Sequence, residues 1–162
     1  MPPGMELMGS YASGGIAVSP DGSTIAFAAG TADSTRLYLR RLDDWTIRPL
    51  PGTEGAADPF FSPDGRWIGF SSPRERTLRK IAVDGGVPVT LCTASMGAVG
   101  TWADNDTIYF TGYDLPNVLK VPASGGAPSP VTKHRPAGYF QRGFLRALPG
   151  GRLALVTLSG GG

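Results

Sequence analysis

The sequence predicts an all-β protein, and within that class a partial β-propeller made of four-stranded antiparallel blades. One turn-and-strand unit recurs four times along the 162 residues. The chain also contains 24 glycines and 15 prolines, spread between short apolar runs, which indicates many turns. Apolar residues do not recur with the period of a helix over any useful window. In a propeller, such units are arranged radially around a central channel.

The recurring unit joins a tight turn to a short apolar run. Residues 19–27 and 62–70 each read Ser-Pro-Asp-Gly, two further residues and Ile-x-Phe. Residues 102–110 and 148–155 are degenerate copies that end in Ile-Tyr-Phe and Leu-Ala-Leu. The copies recur at intervals of roughly 40 to 45 residues, the length of one four-stranded blade. The repeat therefore predicts consecutive blades.

The strands of each blade follow from the residues around the turn. Proline fixes its own φ and glycine accepts the positive φ that closes the reversal, so each Ser-Pro-Asp-Gly is a hairpin turn between two inner strands. Apolar runs precede the turns at residues 16–18, 60–61 and 99. Candidate third strands occupy residues 37–39, 78–83 and 118–121. Proline-interrupted outer segments, which an edge strand tolerates, occupy residues 48–50, 88–91 and 130–132.

These units define the predicted organisation of the chain. A lead-in segment at residues 1–13 precedes three blades, at residues 14–50, 57–91 and 98–132. A half blade at residues 143–157 and a Gly-rich tail at residues 158–162 follow. Known propellers close with about 4 to 8 blades, and this chain supplies about three and a half. We therefore expect either a longer or split polypeptide or self-association through the open blade faces, because exposed apolar faces and unpaired strands favour association.

Composition and charge argue against several classes of partner. With 41% apolar and 17% charged residues, the chain is globular rather than disordered. The net charge is +2 and the basic residues are scattered, so no nucleic-acid partner is expected. A single cysteine, Cys92, excludes an internal disulfide and a Cys-based zinc site. No run approaches the ~20 apolar residues of a membrane span, and the first residues lack the basic and apolar regions of a signal peptide.

The Ser-Pro-Asp-Gly repeats resemble those of TolB-like propellers, distant relatives of WD-repeat propellers, over residues 14–157. More narrowly, four stretches look like the propeller that follows bacterial eukaryotic-type serine/threonine kinase domains: residues 2–5, 50–56, 121–126 and 148–152. In that family the kinase commonly precedes a membrane span, so the resemblance implies an extracytoplasmic sensor. The kinase domain, the span and the last blades are absent from this sequence, which implies no kinase activity for the chain and leaves closure of the ring open.

Two sets of residues could suggest catalysis. The only histidine, His134, would have to serve any serine hydrolase triad, but no Gly-x-Ser-x-Gly elbow is present, and a loop position between blades is expected instead. Asp21, Asp64 and Asp104 could be read as a carboxylate set. Because equivalent turns of rotated blades are well separated, we expect these carboxylates to make local turn hydrogen bonds. No catalytic, cofactor-binding or metal-ligating residue is predicted, and no cofactor is expected.

The aromatic residues of the repeats have two interpretations. Trp45, Trp67 and Trp102, with Tyr109 and Phe110, could form a binding surface. Packing in the core or between blades is the more common fate of aromatic residues in repeats, and we expect it here.

Three smaller features also have structural interpretations. Cys92 follows an apolar edge segment and is expected to be a small buried hydrophobe. The glycine pairs match neither a dinucleotide-binding nor a Walker pattern, so they are read as turns. Asn105-Asp106-Thr107 matches a glycosylation sequon but falls in the third hairpin turn.

The predicted function is non-enzymatic binding or sensing of a protein, peptide or small ligand, within a larger signalling protein such as a kinase sensor region. Two alternatives stay open: an accessory propeller of a prolyl-oligopeptidase-like hydrolase, and a truncated remnant without independent function. A kinase or hydrolase reading frame adjoining this one would discriminate between them. The loops contain no convergent polar cluster, so no binding residues are predicted.

Overall fold

A computed structural model of the chain describes residues 6–7, 15–31, 34–94, 98–112, 117–131, 142–150 and 152–158. These residues form four antiparallel sheets, three of them with strands in four sheet positions and one with two strands. The predicted all-β fold with four-stranded antiparallel blades is therefore confirmed. Within the described ranges, no helix is long and apolar enough to cross a membrane.

Blade 1 contains five strands in four positions. Its strands are β1 (Glu6–Leu7), β2 (Ile16–Val18), β3 (Thr24–Thr31), β4 (Ser34–Arg41) and β5 (Ile47–Pro49). Both β1 and β2 pair with β3, so two short segments together make the innermost strand. The first sheet thus takes in Glu6 and Leu7, which the sequence analysis assigned to the lead-in segment.

The remaining blades repeat this order. Blade 2 consists of β6 (Ala57–Phe61), β7 (Trp67–Ser72), β8 (Thr77–Ala82) and β9 (Val89–Thr93). Blade 3 consists of β10 (Val99–Trp102), β11 (Thr107–Thr111), β12 (Leu119–Pro122) and β13 (Ser129–Pro130). Blade 4 consists of β14 (Arg142–Leu148) and β15 (Arg152–Leu158). The inner strands β2, β6, β10 and β14 contact one another in this order, as expected of consecutive propeller sectors.

Apolar contacts between neighbouring blades form the two hydrophobic cores. The Ile-x-Phe residues of β7, Ile68 and Phe70, pack with Ala26 and Ala28 of blade 1. The same motif in β11 packs with residues of blade 2. We call the face that carries Ile-x-Phe in blades 2 and 3 the leading face, and the opposite face of each blade the trailing face. Each leading face covers the trailing face of the preceding blade.

A cation from the trailing face accompanies each of these contacts. Arg48 Nη2 donates to the carbonyl of Val83 at 2.7 Å, across the junction between blades 1 and 2. Lys80 Nζ donates to the carbonyl of Ala123 at 2.8 Å, across the next junction. Val83 and Ala123 each lie at or just past the end of the third strand of their blade, so the two bonds are equivalent although the donors differ. Charged donors also make stronger hydrogen bonds than neutral ones.

Phe60 makes the closest packing between blades 2 and 3. Its ring lies against Gly69, its partner across the β6–β7 pair, and against Gly100 on β10. A Cβ atom built on Gly100 would lie 2.5 Å from Phe60 Cε1, closer than atoms in van der Waals contact. Gly100 does not have a positive φ, so its requirement for glycine is steric. The aromatic ring and the two glycines therefore form one packing unit.

Replacement of Gly100 by alanine tests this unit. We expect Gly100→Ala to destabilise the chain by about 1–3 kcal/mol, because the added methyl overpacks the Phe60 ring. Phe60→Leu removes the ring atoms nearest Gly100, so the cost of Gly100→Ala should fall in that background. Urea unfolding of the four proteins of this double-mutant cycle measures the coupling. Additive effects of the two substitutions would contradict the packing unit.

Candidate functional site

The inner strands of the four blades line one groove along the propeller axis, which we call the axial groove. It has a volume of about 600 Å³. Strand β2 contributes Ile16–Val18, β6 contributes residues 58–61, β10 contributes Val99–Trp102 and β14 contributes residues 145–148. The hairpin turns of the blades provide Pro20, Pro63, Asp104 and Pro149 at its rim.

The four strands that line the axial groove are all edge strands. Within the described part of the chain, β2, β6, β10 and β14 each pair with one other strand only. One backbone edge of each is therefore free of sheet pairing on the axial side. On the inner strand of blade 4, one backbone N–H has a side-chain partner. The Ala147 N–H donates to Thr101 Oγ1 at 3.0 Å, and this bond joins blades 3 and 4. The groove thus offers main-chain donors and acceptors on several sides.

Side chains give the axial groove a mixed character. Ile16, Val18 and Leu148 expose apolar surface there, and Arg146 contributes an exposed cation. Asp58 also lines the groove but is buried. The described lining of the groove thus combines apolar side chains with an exposed cation and a buried carboxyl group.

Asp58 owes its position to a β-bulge. The β6–β7 register shifts between Ala57 and Phe60, and Asp58 has a φ of 51°. Aspartate is among the few non-glycine residues that adopt this left-handed conformation readily. The Ser71 hydroxyl donates to the Ala57 carbonyl at 3.1 Å and ties the bulge to β7. Sequence reasoning missed this residue, although the Asp-Pro pair ahead of an apolar strand was a signal for an irregular edge.

Asp21 organises the first hairpin turn. Its Oδ1 accepts from the Ser19 hydroxyl at 2.5 Å and from the Ser23 N–H at 3.0 Å, and its Oδ2 accepts from the Ser23 hydroxyl at 2.8 Å. These bonds favour the charged carboxylate and lower the pKa of Asp21 from 3.8 to about 2. The Ser19 oxygen in turn accepts from the Thr24 N–H at 2.9 Å, which closes the turn.

Asp64 repeats this arrangement in blade 2. Its Oδ1 accepts from the Ser62 hydroxyl at 2.6 Å and from the Arg66 N–H at 3.0 Å. Its Oδ2 accepts from Arg66 Nε at 2.7 Å. The Ser62 bond is the largest cause that lowers the pKa of Asp64 to about 2. The predicted local hydrogen bonding is confirmed for Asp21 and Asp64.

The same prediction is wrong for Asp104. The repeat aligns Trp102 with the turn serines, but the backbone puts Ala103 in their place, since its N–H donates to the Thr107 carbonyl as those of Ser19 and Ser62 donate to the Thr24 and Trp67 carbonyls. With either residue, the hydroxyl donor is missing in blade 3. Asp104 Oδ2 instead accepts from the Gly150 N–H of blade 4 at 2.8 Å. The third aspartate therefore joins two blades, and its partner lies 46 residues away in the sequence.

The aromatic residues divide between core and surface. Trp102 and Phe110 are buried in the core between blades 2 and 3, as predicted. Trp67 is half-buried against the same core. The prediction is wrong for Trp45, whose side chain is 86% exposed. The Arg40 guanidinium lies over its ring, 4.4 Å from the ring centroid.

A lysine between two indole rings marks a second groove, formed by the turns of blades 2 and 3. Lys80 Nζ lies 4.6 Å from the centroid of Trp67 and 5.8 Å from that of Trp102. All three side chains line this groove. Lys80 also makes the interblade bond to Ala123, so the cation–π contacts and the hydrogen bond stabilise the same junction.

The other candidate reactive residues are buried or lie outside the described part of the chain. Cys92 is buried as predicted, and burial raises the pKa of its thiol to about 11. His134 lies outside the described residues. Among the residues that are described, no group of three His, Cys, Asp or Glu side chains is arranged to hold a metal ion.

Comparison with known proteins places this fold among propellers. No family model matches the chain. An uncharacterized protein of Agrobacterium fabrum is 33% identical over 104 residues, which cover 59% of this chain and 34% of that relative. The chain thus spans about a third of the relative's length.

Solved structures with the same fold include proteins of several kinds. A putative TolB from Agrobacterium tumefaciens superposes with a TM-score of 0.70 at 20% identity, over 90% of this chain and 57% of its own. TolB from Acinetobacter baumannii gives 0.60 at 17% identity, over 93% and 41%. A nidogen/laminin complex gives 0.64 at 14% identity, over 88% and 54%. These similarities show a TolB-like propeller fold, and the chain spans little more than half of the first of these proteins.

The pKa values of the turn aspartates predict how stability depends on pH. Because the folded pKa of Asp64 is lowered, its stabilising bonds are present above the ordinary pKa of 3.8 and are lost as pH falls through about 2. Asp64→Asn should therefore unfold more easily than the parent at pH 7 and match it near pH 2. Urea unfolding across this pH range measures the difference. Ser62→Ala, which removes the main donor, should flatten the same pH dependence, and a difference that is constant with pH would contradict this account.

Proposed function

We propose that this chain is a non-catalytic propeller module that recognises a protein or peptide through the axial groove. The observation that carries the proposal is the convergence of four edge strands, β2, β6, β10 and β14, on one groove. An extended peptide binds such edges through main-chain hydrogen bonds, as in strand-addition complexes. Pockets between the strands then select its side chains.

The side chains of the groove favour a ligand with both apolar and charged groups, such as a peptide. Ile16, Val18 and Leu148 give it apolar contacts, and Arg146 and the rim residue Asp104 add charges of both signs. Protein interfaces combine an apolar centre with a polar rim in this way.

Absence of catalysis is part of the proposal. The repeated carboxylates Asp21 and Asp64 stay ionised well below neutral pH and are engaged by turn donors, so they are unsuited to proton transfer near neutrality. A thiol with a pKa of about 11, as in Cys92, is almost entirely protonated at neutral pH and is a poor nucleophile.

We further propose that the module belongs to a larger signalling protein, such as the extracytoplasmic sensor region of a receptor-like kinase. The support is the resemblance of residues 121–126 and 148–152 to kinase-linked propellers and the short span of the chain relative to its relatives. Association between copies through open blade faces is included in the proposal, because blade 1 has no preceding blade among the described residues.

Peptide selection tests the groove directly. A phage-displayed library of random peptides, panned against the immobilised chain, should yield sequences that bind in solution by fluorescence polarisation. Val99→Arg places a long charged side chain in the groove, and we expect it to weaken this binding at least about ten-fold.

The matched control is Val89→Arg, the same substitution on outer strand β9, which does not line the groove. It should bind the selected peptides like the parent. Circular dichroism would verify that both variants keep their strands. Failure to select any peptide, or equal binding by Val99→Arg, would refute recognition through the axial groove.

A further inference from the structure

The second groove lies where the junction between blades 2 and 3 departs from the repeat. Strand pairing identifies the first departure. Lys80 pairs with Gly69, the middle residue of Ile-x-Phe in blade 2, and Leu39 pairs with Ala26, the middle residue of the same motif in blade 1. Lys80 therefore holds the position that Leu39 holds in blade 1.

Trp102 departs from the repeat in the same way. It pairs with Ile108, the first residue of the motif in blade 3, just as Phe61 pairs with Ile68 in blade 2. Leu39 and Phe61 are buried together in the core between blades 1 and 2. The apolar pair of the first junction is thus replaced at the next junction by an ammonium group and an indole.

The ammonium group of Lys80 has unused hydrogen-bonding capacity. It carries three donors, of which one is given to the Ala123 carbonyl at 2.8 Å. No carboxylate among the described residues pairs with it. The other cation that lines the groove, Arg66, is already paired with Asp64 at 2.7 Å. Lys80 therefore supplies the uncompensated positive charge of the groove lining.

Trp102 supplies a second unused donor. The residue is 6% exposed, and within the described ranges its indole Nε1 has no hydrogen-bond partner. A buried donor without an acceptor costs free energy, and nearly all buried polar groups have a partner. A phenylalanine, as at Phe61, would need none. The unpaired N–H is closed off from solvent, so an acceptor reaches it by entering between the ring and the side chains around it.

The turn of blade 3 gives the groove an acidic wall. Asp104, Asn105 and Asp106 line the groove and are exposed. One oxygen of Asp104 accepts from Gly150, and the other carboxylate oxygens can accept from hydroxyl or amino groups of a ligand. The same carboxylates repel negative charge, so the groove disfavours a dianion such as phosphate. A ligand with one carboxylate and several donors complements both walls.

We propose that the second groove binds a small organic acid that carries hydroxyl or amino groups. Its carboxylate accepts from Lys80 Nζ and from the Trp102 indole N–H, and its own donors pair with the acidic wall. This site is separate from peptide recognition by the axial groove. Trp102 borders both grooves, whereas Lys80 lines the second groove and not the axial one. Substitution of Lys80 therefore distinguishes the two sites.

Titration of the isotope-labelled full chain, followed by NMR of the indole N–H groups, tests the site. The chain has three tryptophans, and Trp102→Phe identifies the Trp102 signal by its loss. Gluconate, and in a second arm free serine, should shift this signal downfield with a Kd on the order of 1 mM at constant ionic strength. Trp45 does not line the groove, and its signal serves as the internal control.

Two probes test the chemical class of the ligand. Sorbitol resembles gluconate but has no carboxylate, and inorganic phosphate is an anion of higher charge. Each should bind at least about ten-fold more weakly than gluconate. The arm that binds more tightly, gluconate or serine, shows whether hydroxyl or amino groups face the acidic wall. Equal or tighter binding of sorbitol or phosphate would overturn recognition of a carboxylate.

Variants test the two donors. Lys80→Met keeps an apolar stem but removes the ammonium group, and it should weaken gluconate binding at least about ten-fold. Lys120→Met is the matched control, because Lys120 holds the equivalent position in blade 3, paired with Tyr109, and does not line the groove. Trp102→Phe removes only the indole donor, and it should also weaken binding, read from the Trp67 signal.

The outcomes decide the proposal. Circular dichroism would verify that each variant keeps its strands, and Trp102→Phe tests the same site if Lys80→Met does not. A Trp102 signal that neither gluconate nor serine moves up to about 50 mM would overturn the site. Binding by Lys80→Met or Trp102→Phe that equals that of Lys120→Met would overturn the two donors. Peptide binding by the axial groove is measured separately and should persist in Lys80→Met.

Discussion

Packing of one blade's leading face on the preceding blade's trailing face is the interaction on which the rest of this structure depends. A single four-stranded sheet cannot bury both of its faces, so each blade is stable only beside a neighbour. Small residues at Ala26 and Ala28 leave room for Phe70, and glycines at 69 and 100 leave room for Phe60. At each of these places, a large aromatic side chain thus packs against alanine or glycine. The axial groove exists because these junctions hold the inner strands side by side.

The hairpin turns fix the register of the inner strands in blades 1 and 2. They do so because the aspartates of the repeat accept hydrogen bonds within their own turns. Asp21 and Asp64 each accept three hydrogen bonds inside their own turn. Their role in the repeat is therefore structural. Residues that could give this chain its specificity are those that depart from the repeat, such as Asp58 in the bulge and Arg146 on the last blade.

The fold could be predicted from the sequence because the turn chemistry is local. Ser, Pro, Asp and Gly at fixed offsets define the reversal without any distant partner, and the strands on either side follow from it. The features that were missed depend on residues far along the chain. Asp104 bonds to Gly150, 46 residues away in the sequence, because the blade 3 turn has no serine hydroxyl. The exposure of Trp45, at 86%, is likewise set by how the folded blades pack and not by its own sequence neighbourhood. The axial groove was also missed, since its walls come from four separate strands and no single stretch of sequence contains it.

Strand β2 takes part in two surfaces of the described structure. Ile16 and Val18 line the axial groove, and through their partners Phe27 and Ile25 they also lie on the face of blade 1 opposite Ala26 and Ala28. The side chains of one short strand therefore form both a wall of the groove and part of the outer face of blade 1. A substitution in β2 would change both surfaces together, so the contribution of the groove alone is measured more directly at Val99, which lies on β10 between two blades.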